Sequence, residues 1–343
     1  RLRLLLHQLQ AAGRTAALHP VGQRRQHVHV ARRAAAHVVN AGRDVWIDRR
    51  GALHHVGHLP DGVVDVVLER VLAPTGKRVD RTQPIVDVRL PDGARLCAAV
   101  DPIAVHGTCV SIRKHRTRPV PLEAFVGTPA VLQLLDSVVA QRCNVLVSGA
   151  TSSGKTTFLA ALAHRVPGGE RFVVCEDTAE LDMRARHAVR LEARPATSDG
   201  LVAIELVDLV RAALRLRPDR LIVGEFRGAE VLAAIQAMNT GHDGSLSTCH
   251  ANSAADALRR VETLVMQAAP TWPLIAIRRQ VSRSIDVVVH LERDAGGRRV
   301  VTEISEVVES SDEPVVRRLA TNSAVEQRLT RGRRVAPTIG AIG

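Results

Sequence analysis

The residues Gly149-Ala150-Thr151-Ser152-Ser153-Gly154-Lys155-Thr156 satisfy the spacing Gly, any four residues, Gly-Lys-Ser/Thr without a mismatch. Each type in that string has a chemical task. Glycines permit backbone angles that turn successive amide N–H groups toward one point, making a nest for an anion, and a helix that begins there adds the positive end of its dipole. Lys155 supplies an ammonium for terminal phosphates and Thr156 a hydroxyl for Mg²⁺. An accidental Gly/Ser turn is the competing explanation. It is disfavoured by context, because an apolar strand is predicted over residues 144–148 and an Ala/Leu-rich helix over residues 154–165. The chain is therefore expected to bind a nucleoside triphosphate.

Two further apolar runs end in acids. Residues 171–175 lead into Glu176 and Asp177, and residues 221–223 lead through Gly224 into Glu225. The carboxyl edge of a parallel sheet is where such a fold puts its ligand chemistry. Glu176 or Asp177 can hold Mg²⁺ through water or polarise an attacking water; a helix cap is the simpler use of an acid at a strand end. In phosphate-loop hydrolases the second of these strands lies beside the loop strand and supplies an acid to the metal or the lytic water. Gly224 stands where Asp is usual, so Glu225 is the expected catalytic base. Arg227 follows closely as a candidate nucleotide contact. His242 and His250 sit eight residues apart in a polar, Gly-punctuated segment. No second Cys or carboxylate completes a zinc spacing there. A His at a strand end can sense a γ-phosphate, whereas a lone His is more often structural.

The elements that must position these groups alternate. Strands are expected at 171–175, 188–191, 221–223, 245–249 and 286–290, and helices at 203–216, 229–238, 254–267 and 274–284. Alternation implies a mainly parallel sheet covered on both faces. Ahead of it, strands at 44–47, 53–56, 85–90, 95–100 and 108–112 read as a small α+β domain over residues 44–113. Residues 114–130, rich in Arg and Pro, read as a linker, residues 131–308 as the nucleotide-binding domain and residues 309–343 as a mobile tail.

The 343 residues carry a net charge of +12 and 45% hydrophobic residues, enough for two cored domains and against wholesale disorder. The charge is mostly guanidinium: the only lysines are Lys77, Lys114 and Lys155. Residues 1–43 hold eight Arg and no acid. This stretch suits an anionic lipid surface, a nucleic acid or an acidic partner, or is merely a solvated face. With 2% aromatic residues and no Tyr, stacking platforms for single-stranded nucleic acid are scarce, and nucleic acid is disfavoured as a partner. Five scattered Cys fit neither a zinc cluster nor a disulfide scaffold, and a reducing cytoplasm fits them best. No apolar run reaches the roughly 18 residues of a membrane helix.

Taken in order, the GATSSGKTT loop, the acids Glu176 and Asp177, the RPDRLIVGEFRGAE segment and the NTGHDGSLSTCHANS segment resemble the signature boxes of the secretion ATPase superfamily. The wording is most similar to its tight-adherence pilus branch and type IV secretion relatives. The resemblance covers about residues 44–308. It implies a RecA-like phosphate-loop ATPase domain after a smaller, PAS-like α+β domain, working with ATP and Mg²⁺ as a homohexameric ring. The expected setting is the cytoplasmic face of the inner membrane, with platform proteins of a pilus or secretion machine as partners and room for peripheral membrane contact. By position, the resemblance implies that Gly149, Ala150, Thr151, Ser152, Ser153, Gly154, Lys155, Thr156 and Thr157 bind ATP. It assigns Glu176 and Glu225 to water and Mg²⁺, with Thr156 and, through water, Asp177 toward the metal. It also makes His242 and His250 a histidine box and has Arg113, or alternatively Lys114, Arg116 or Arg118, reach nucleotide from the first domain or an adjoining subunit. Cys249 replaces a more usual aliphatic residue, a change expected to touch packing rather than chemistry. Two other readings remain at this level: a motor stimulated by nucleic acid, and an ATP-binding switch without turnover.

Overall fold

Local sequence decides most of the elements. The structure, a computed structural model, describes residues 36–49, 52–114, 119–181, 183, 187–196, 200–309, 313 and 315–331. The chain divides into two compact units, with the boundary between residues 117 and 118.

In the first unit, β1 (Ala36–Asn40), β2 (Asp44–Arg49), β3 (Ala52–His58), β4 (Ile85–Arg89), β5 (Arg95–Ala99) and β6 (Cys109–Arg113) form an antiparallel sheet in the order β3-β2-β1-β6-β5-β4. The strands alternate: Val86, Val88, Leu96, Ala98, Val110 and Ile112 are buried while their neighbours are not. Helix α1 (Val63–Leu72) buries Val64, Leu68 and Leu72, spaced by four as one helical stripe demands, into the same apolar cluster. The α+β expectation holds. The unit starts earlier than residue 44, however, because β1 lies within the part expected to be only a basic stretch; its Val38-Val39 pair is the β signal.

The second unit begins earlier than expected too. Most of the supposed linker belongs to it: Leu122 and Phe125 are buried in its core. Helix α2 (Pro129–Ala140) starts with Thr128, which accepts from the Val131 amide, and Pro129 at the first helical position. Its stripe Val131, Leu134, Leu135, Val138 and Val139 faces inward. The chain then runs through β7 (Val145–Gly149), α3 (Lys155–Ala163), β8 (Phe172–Glu176), β9 (Ala188–Glu192), α4 (Leu206–Ala213), β10 (Arg220–Val223), α5 (Glu230–Asn239) and β11 (Leu246–His250). It ends with α6 (Ala254–Ala268), α7 (Leu274–Ser284), β12 (Val287–Arg293), β13 (Arg299–Val308) and β14 (Val315–Thr321). The sheet order is β14-β13-β12-β7-β11-β10-β8-β9, parallel from β12 to β9 and antiparallel at β13 and β14.

Both faces are covered, which is why these strands are apolar throughout. Val145, Val147, Phe172, Val174 and Ile222 pack on one side with Phe158, Leu159 and Leu162 of α3. Leu146, Val173, Leu221 and Val223 pack on the other with α4 to α7. Each fully buried Leu or Phe contributes about 1.5–3 kcal/mol.

One expected adjacency fails. Strand β10 is not beside the loop strand β7, because β11 lies between them. The supposed tail also fails as a tail: β14 is the edge strand, with Leu319 and Ala320 fully buried. Beyond it, buried Glu306 accepts from the backbone amides of Thr330 and Arg331, the Thr330 hydroxyl and Arg317. Arg331 pairs with buried Asp286 at 3.1 Å. The polar composition after residue 309 concealed a segment held by charge-assisted hydrogen bonds rather than by a long apolar run.

Burial pushes the Glu306 carboxyl up, but the bonds from Arg317, Thr330 and Arg331 outweigh it and the group ends below the ordinary glutamate range. Its stabilisation is therefore present above the unfolded pKa and is lost as pH falls through the lower folded value. Glu306→Gln should cost about 1–3 kcal/mol at neutral pH, with the difference from wild type shrinking in acid. Thermal melts across pH check this, and a pH-independent difference would contradict it.

Candidate functional site

The carboxyl edge of the parallel sheet collects the predicted chemistry. Strand β7 ends at Gly149, whose φ of 148° suits glycine. A side-chain carbon there would stand 2.4 Å from the Leu291 carbonyl oxygen and 2.6 Å from Ser153 Oγ. Gly154, at φ 100°, has Arg299 against it at 2.6 Å from the same kind of carbon. Ser152 takes a positive φ of 63° without being glycine. Its carbonyl accepts from both Nε and Nη2 of Arg293, each at 3.1 Å. Arg293 and Arg299 therefore flank the loop from the β12–β13 hairpin. Sequence reasoning passed over both, since nothing local in an Arg-rich chain marks them.

Lys155 begins α3 and is buried. Its Nζ donates to the carbonyls of Gly149 at 2.9 Å and Ala150 at 3.0 Å, and lies 3.2 Å from Nδ1 of His250. Burial lowers the Lys155 pKa, and Glu225 pulls it back up. Parallel pairing puts His250 opposite Gly149. The other imidazole nitrogen, Nε2, lies 2.8 Å from Glu225 Oε1. An ammonium can only donate, so Nδ1 accepts and the proton of the neutral ring is on Nε2; Glu225 Oε1 beside it has no hydrogen-bond partner among the described residues. Burial, followed by the Lys155, Arg227 and Arg260 charges, holds the imidazole below its ordinary pKa against the pull of Glu225. The neutral tautomer is the resting form.

Glu225 Oε2 accepts from Arg227 Nη2 at 2.5 Å, and Arg227 Nη1 stands 3.7 Å from Asp177. The site is thus a chain of alternating partners: Lys155, His250, Glu225, Arg227, Asp177. Buried Glu230, at the start of α5, accepts the Arg227 and Gly228 amides at 2.5 and 2.8 Å and fixes the turn that aims Arg227. Thr248 Oγ1 donates to the Gly224 carbonyl at 2.8 Å, and the Phe226 amide donates to the Thr248 carbonyl at 2.8 Å, so β11 also holds the turn carrying Glu225.

Other expected residues stand apart from this chain of partners. Glu176 is buried, and its Oε1 accepts the amides of Glu180 and Leu181, both at 2.8 Å, while Arg190 lies 3.5 Å from Oε2. Its carboxylate organises the turn after β8, and burial raises its pKa despite those donors. Its other oxygen, Oε2, has no hydrogen-bond partner among the described residues; of the two adjacent acids, Asp177 joins the charged chain. His242 is not at the loop. It precedes β11, at the amino edge of the sheet, where its Nδ1 meets the Ala237 carbonyl at 3.3 Å, while His250 ends the same strand at the opposite edge. Arg113 closes β6 in the first unit and Lys114 follows it, half-buried; Arg116 and Arg118 lie outside the described residues. Cys249 matches its expected packing role: it is fully buried and its thiol is pushed up to about 12 by that burial.

The residues fit a polyphosphate. Buried Ser153 Oγ has no hydrogen-bond partner among the described residues. An ammonium and the start of a helix face the same loop, and the half-buried Thr156 hydroxyl offers an oxygen of the kind Mg²⁺ takes. Thr151 lies in the loop and Thr157 in the first turn of α3.

A phosphate loop on an interior strand of a doubly covered sheet, with an acid two strands away and a histidine between, defines the RecA-like class of nucleotide-binding folds. Two solved structures share the architecture: the Legionella pneumophila ATPase DotB (TM-score 0.60, 20% identity, 86% of this chain and 82% of that one) and the pilus retraction motor PilT with bound ADP (0.60, 21%, 83% and 82%). The family model described as type II/IV secretion system protein matches residues 27–339. The chain belongs to that family, and with it to the secretion ATPase superfamily. A putative conjugal transfer protein of Mycobacterium tuberculosis is 38% identical over 280 residues, 78% of this chain and 79% of the relative. The conjugal transfer protein TrbB of Rhizobium radiobacter is 33% identical over 271 residues, 77% and 80%. The type IV secretion system protein PtlH of Bordetella pertussis is 36% identical over 254 residues, 65% and 74%.

The electrostatics make one direct claim. In NMR titrations the His250 imidazole should titrate below the ordinary value of about 6.5, and Glu225→Gln should lower it further by removing the charge that favours the imidazolium. A rise in that variant would contradict the pairing.

Proposed function

We propose that the chain hydrolyses ATP in a Mg²⁺-dependent reaction and acts as a motor subunit of a type IV secretion or pilus machine. The observation carrying this reading is the contact chain from Lys155 through His250 to Glu225. It sets a phosphate-binding cation and a water-directing carboxylate at the two ends of one imidazole. In the proposed reaction the loop amides and Lys155 hold the β- and γ-phosphates and offset their charge. Glu225, aimed by Arg227 and fixed by His250, orients the attacking water and takes its proton. Thr156 and, through water, Asp177 would hold Mg²⁺, which when bound supplies charge neutralisation between the phosphates. Arg293 occupies the Ser152 carbonyl with two hydrogen bonds, so this loop oxygen is engaged rather than offered to the anion.

The relatives named for conjugal transfer and type IV secretion support an export role over the tight-adherence pilus role that the motif wording first suggested. The proposed working form is a homohexameric ring at the cytoplasmic face of the inner membrane. It is docked on platform proteins, with Arg113 reaching the nucleotide of an adjoining subunit.

Steady-state turnover and nucleotide binding test the proposal together. Glu225→Gln should reduce kcat by at least about 100-fold while ADP affinity stays within a few-fold. Lys155→Ala should lose binding. Unchanged turnover in Glu225→Gln would remove that residue from the reaction. Arg293→Ala should raise the ADP Kd by roughly 10-fold, the effect of losing about 1.4 kcal/mol; an unchanged Kd would refute its positioning role.

A further inference from the structure

In the first unit, remote in sequence from every phosphate-site residue, the β2–β3 hairpin carries two histidines and an aspartate on one face. A spacing of three, as between His55 and His58, puts side chains on opposite faces of a regular strand. Here it does not. The pairing runs Asp44 with His58 and Val45 with Gly57, then Trp46 with His55, so Val56 is an extra residue bulged out of the ladder. Gly57, at φ 143°, takes the backbone angle that the kink requires, with open space where a side chain would go. The bulge rotates His55 back to the face of His58, and strand alternation puts Asp44 and Trp46 there as well. Bulges of this kind commonly re-aim side chains at functional positions.

The outcome is a three-ligand set. One Asp44 carboxylate oxygen, one nitrogen of His55 and one of His58 all lie within 4.8 Å of one another. Asp44 Oδ1 contacts Nδ1 of His58 and lies 4.0 Å from Nε2 of His55. Trp46 meets the His55 ring edge-on at 5.0 Å, and the two imidazoles meet at 4.8 Å, which limits how either ring turns. Asp44 is half-buried, while both histidines are exposed, so one side of the set is open to water.

We propose that Asp44, His55 and His58 form a site for a divalent transition-metal ion of the zinc type, with solvent completing the coordination. Two imidazoles and one carboxylate are the donors that zinc takes at about 2.0–2.2 Å. They select against Mg²⁺ and Ca²⁺, which want oxygen. Bonds of that length bring ligand atoms to within about 3.5 Å of one another in a tetrahedral site. The set reaches this by small rotations of the exposed imidazoles. The ion would pin β3, the outermost strand of its sheet, to β2. The site is independent of the nucleotide chemistry, so it stands or falls on its own.

The test is a Zn²⁺ titration of the full chain, free of any affinity tag and stripped with chelator, followed by calorimetry and thermal melting in excess Mg²⁺. Wild type should take up one more equivalent than the double variant His55→Ala/His58→Ala, and Zn²⁺ should raise the melting temperature of wild type only. Binding at His250 survives in that variant and is subtracted. Should the double variant fail to fold, Asp44→Asn keeps the hairpin's shape and should weaken the same equivalent by at least 10-fold. Replacement by Co²⁺ should give the intense visible bands of a tetrahedral site in wild type and not in the variants. Equal uptake in wild type and variants, or no uptake by wild type, overturns the proposal.

Discussion

The site depends on one strand register. Because β11 pairs in parallel with β7, His250 falls opposite Gly149, and because β10 pairs with the other side of β11, Glu225 emerges within reach of the same imidazole. Lys155 and Glu225 are thereby joined through a third residue rather than directly. A direct ion pair would neutralise both charges at short range. An intervening imidazole instead keeps the ammonium and the carboxylate apart, 3.2 Å from one and 2.8 Å from the other. The ammonium is partly desolvated and has loop carbonyls as its other partners, while the imidazole itself is exposed.

The acids sort by the same logic. Glu176 and Gly224 are matched: a side-chain carbon at position 224 would stand 3.1 Å from Glu176 Cγ. An Asp at 224 would require the neighbouring strand's glutamate side chain to shift by a few tenths of an ångström. With Glu176 committed to backbone amides, Glu225 and Asp177 are left at the open edge. Glu230 and Thr248 then hold the connecting turn, so three strands and the start of α5 converge on two carboxylates.

Much of this could be read from sequence, for a definite reason. The loop is a local pattern in which each residue has one job, and the strands before and after it are continuous apolar runs, as burial on both faces requires. What escaped detection was non-local. No spacing says that β11 inserts between β7 and β10, nor that His242 and His250 lie at opposite edges, because that follows from crossover connections. Arg293 and Arg299 look like any other arginine until the hairpin folds over the loop. Helix α1, rich in valine, lacks the composition of a helix and declares itself only by the spacing of Val64, Leu68 and Leu72. Strand β14 was masked by polar neighbours whose role is to bind Glu306.

Placing two antiparallel strands outside β12 also settles how the large sheet ends. A parallel sheet stopping at β12 would offer a long apolar border with open main-chain donors and acceptors, a template on which another copy could zip itself. Instead the borders fall at β9, five residues long with Arg190 and Glu192, and at β14, which carries Arg317 and Arg318. Desolvating those guanidinium groups is costly. A second chain could pair along either border only by stripping water from such groups.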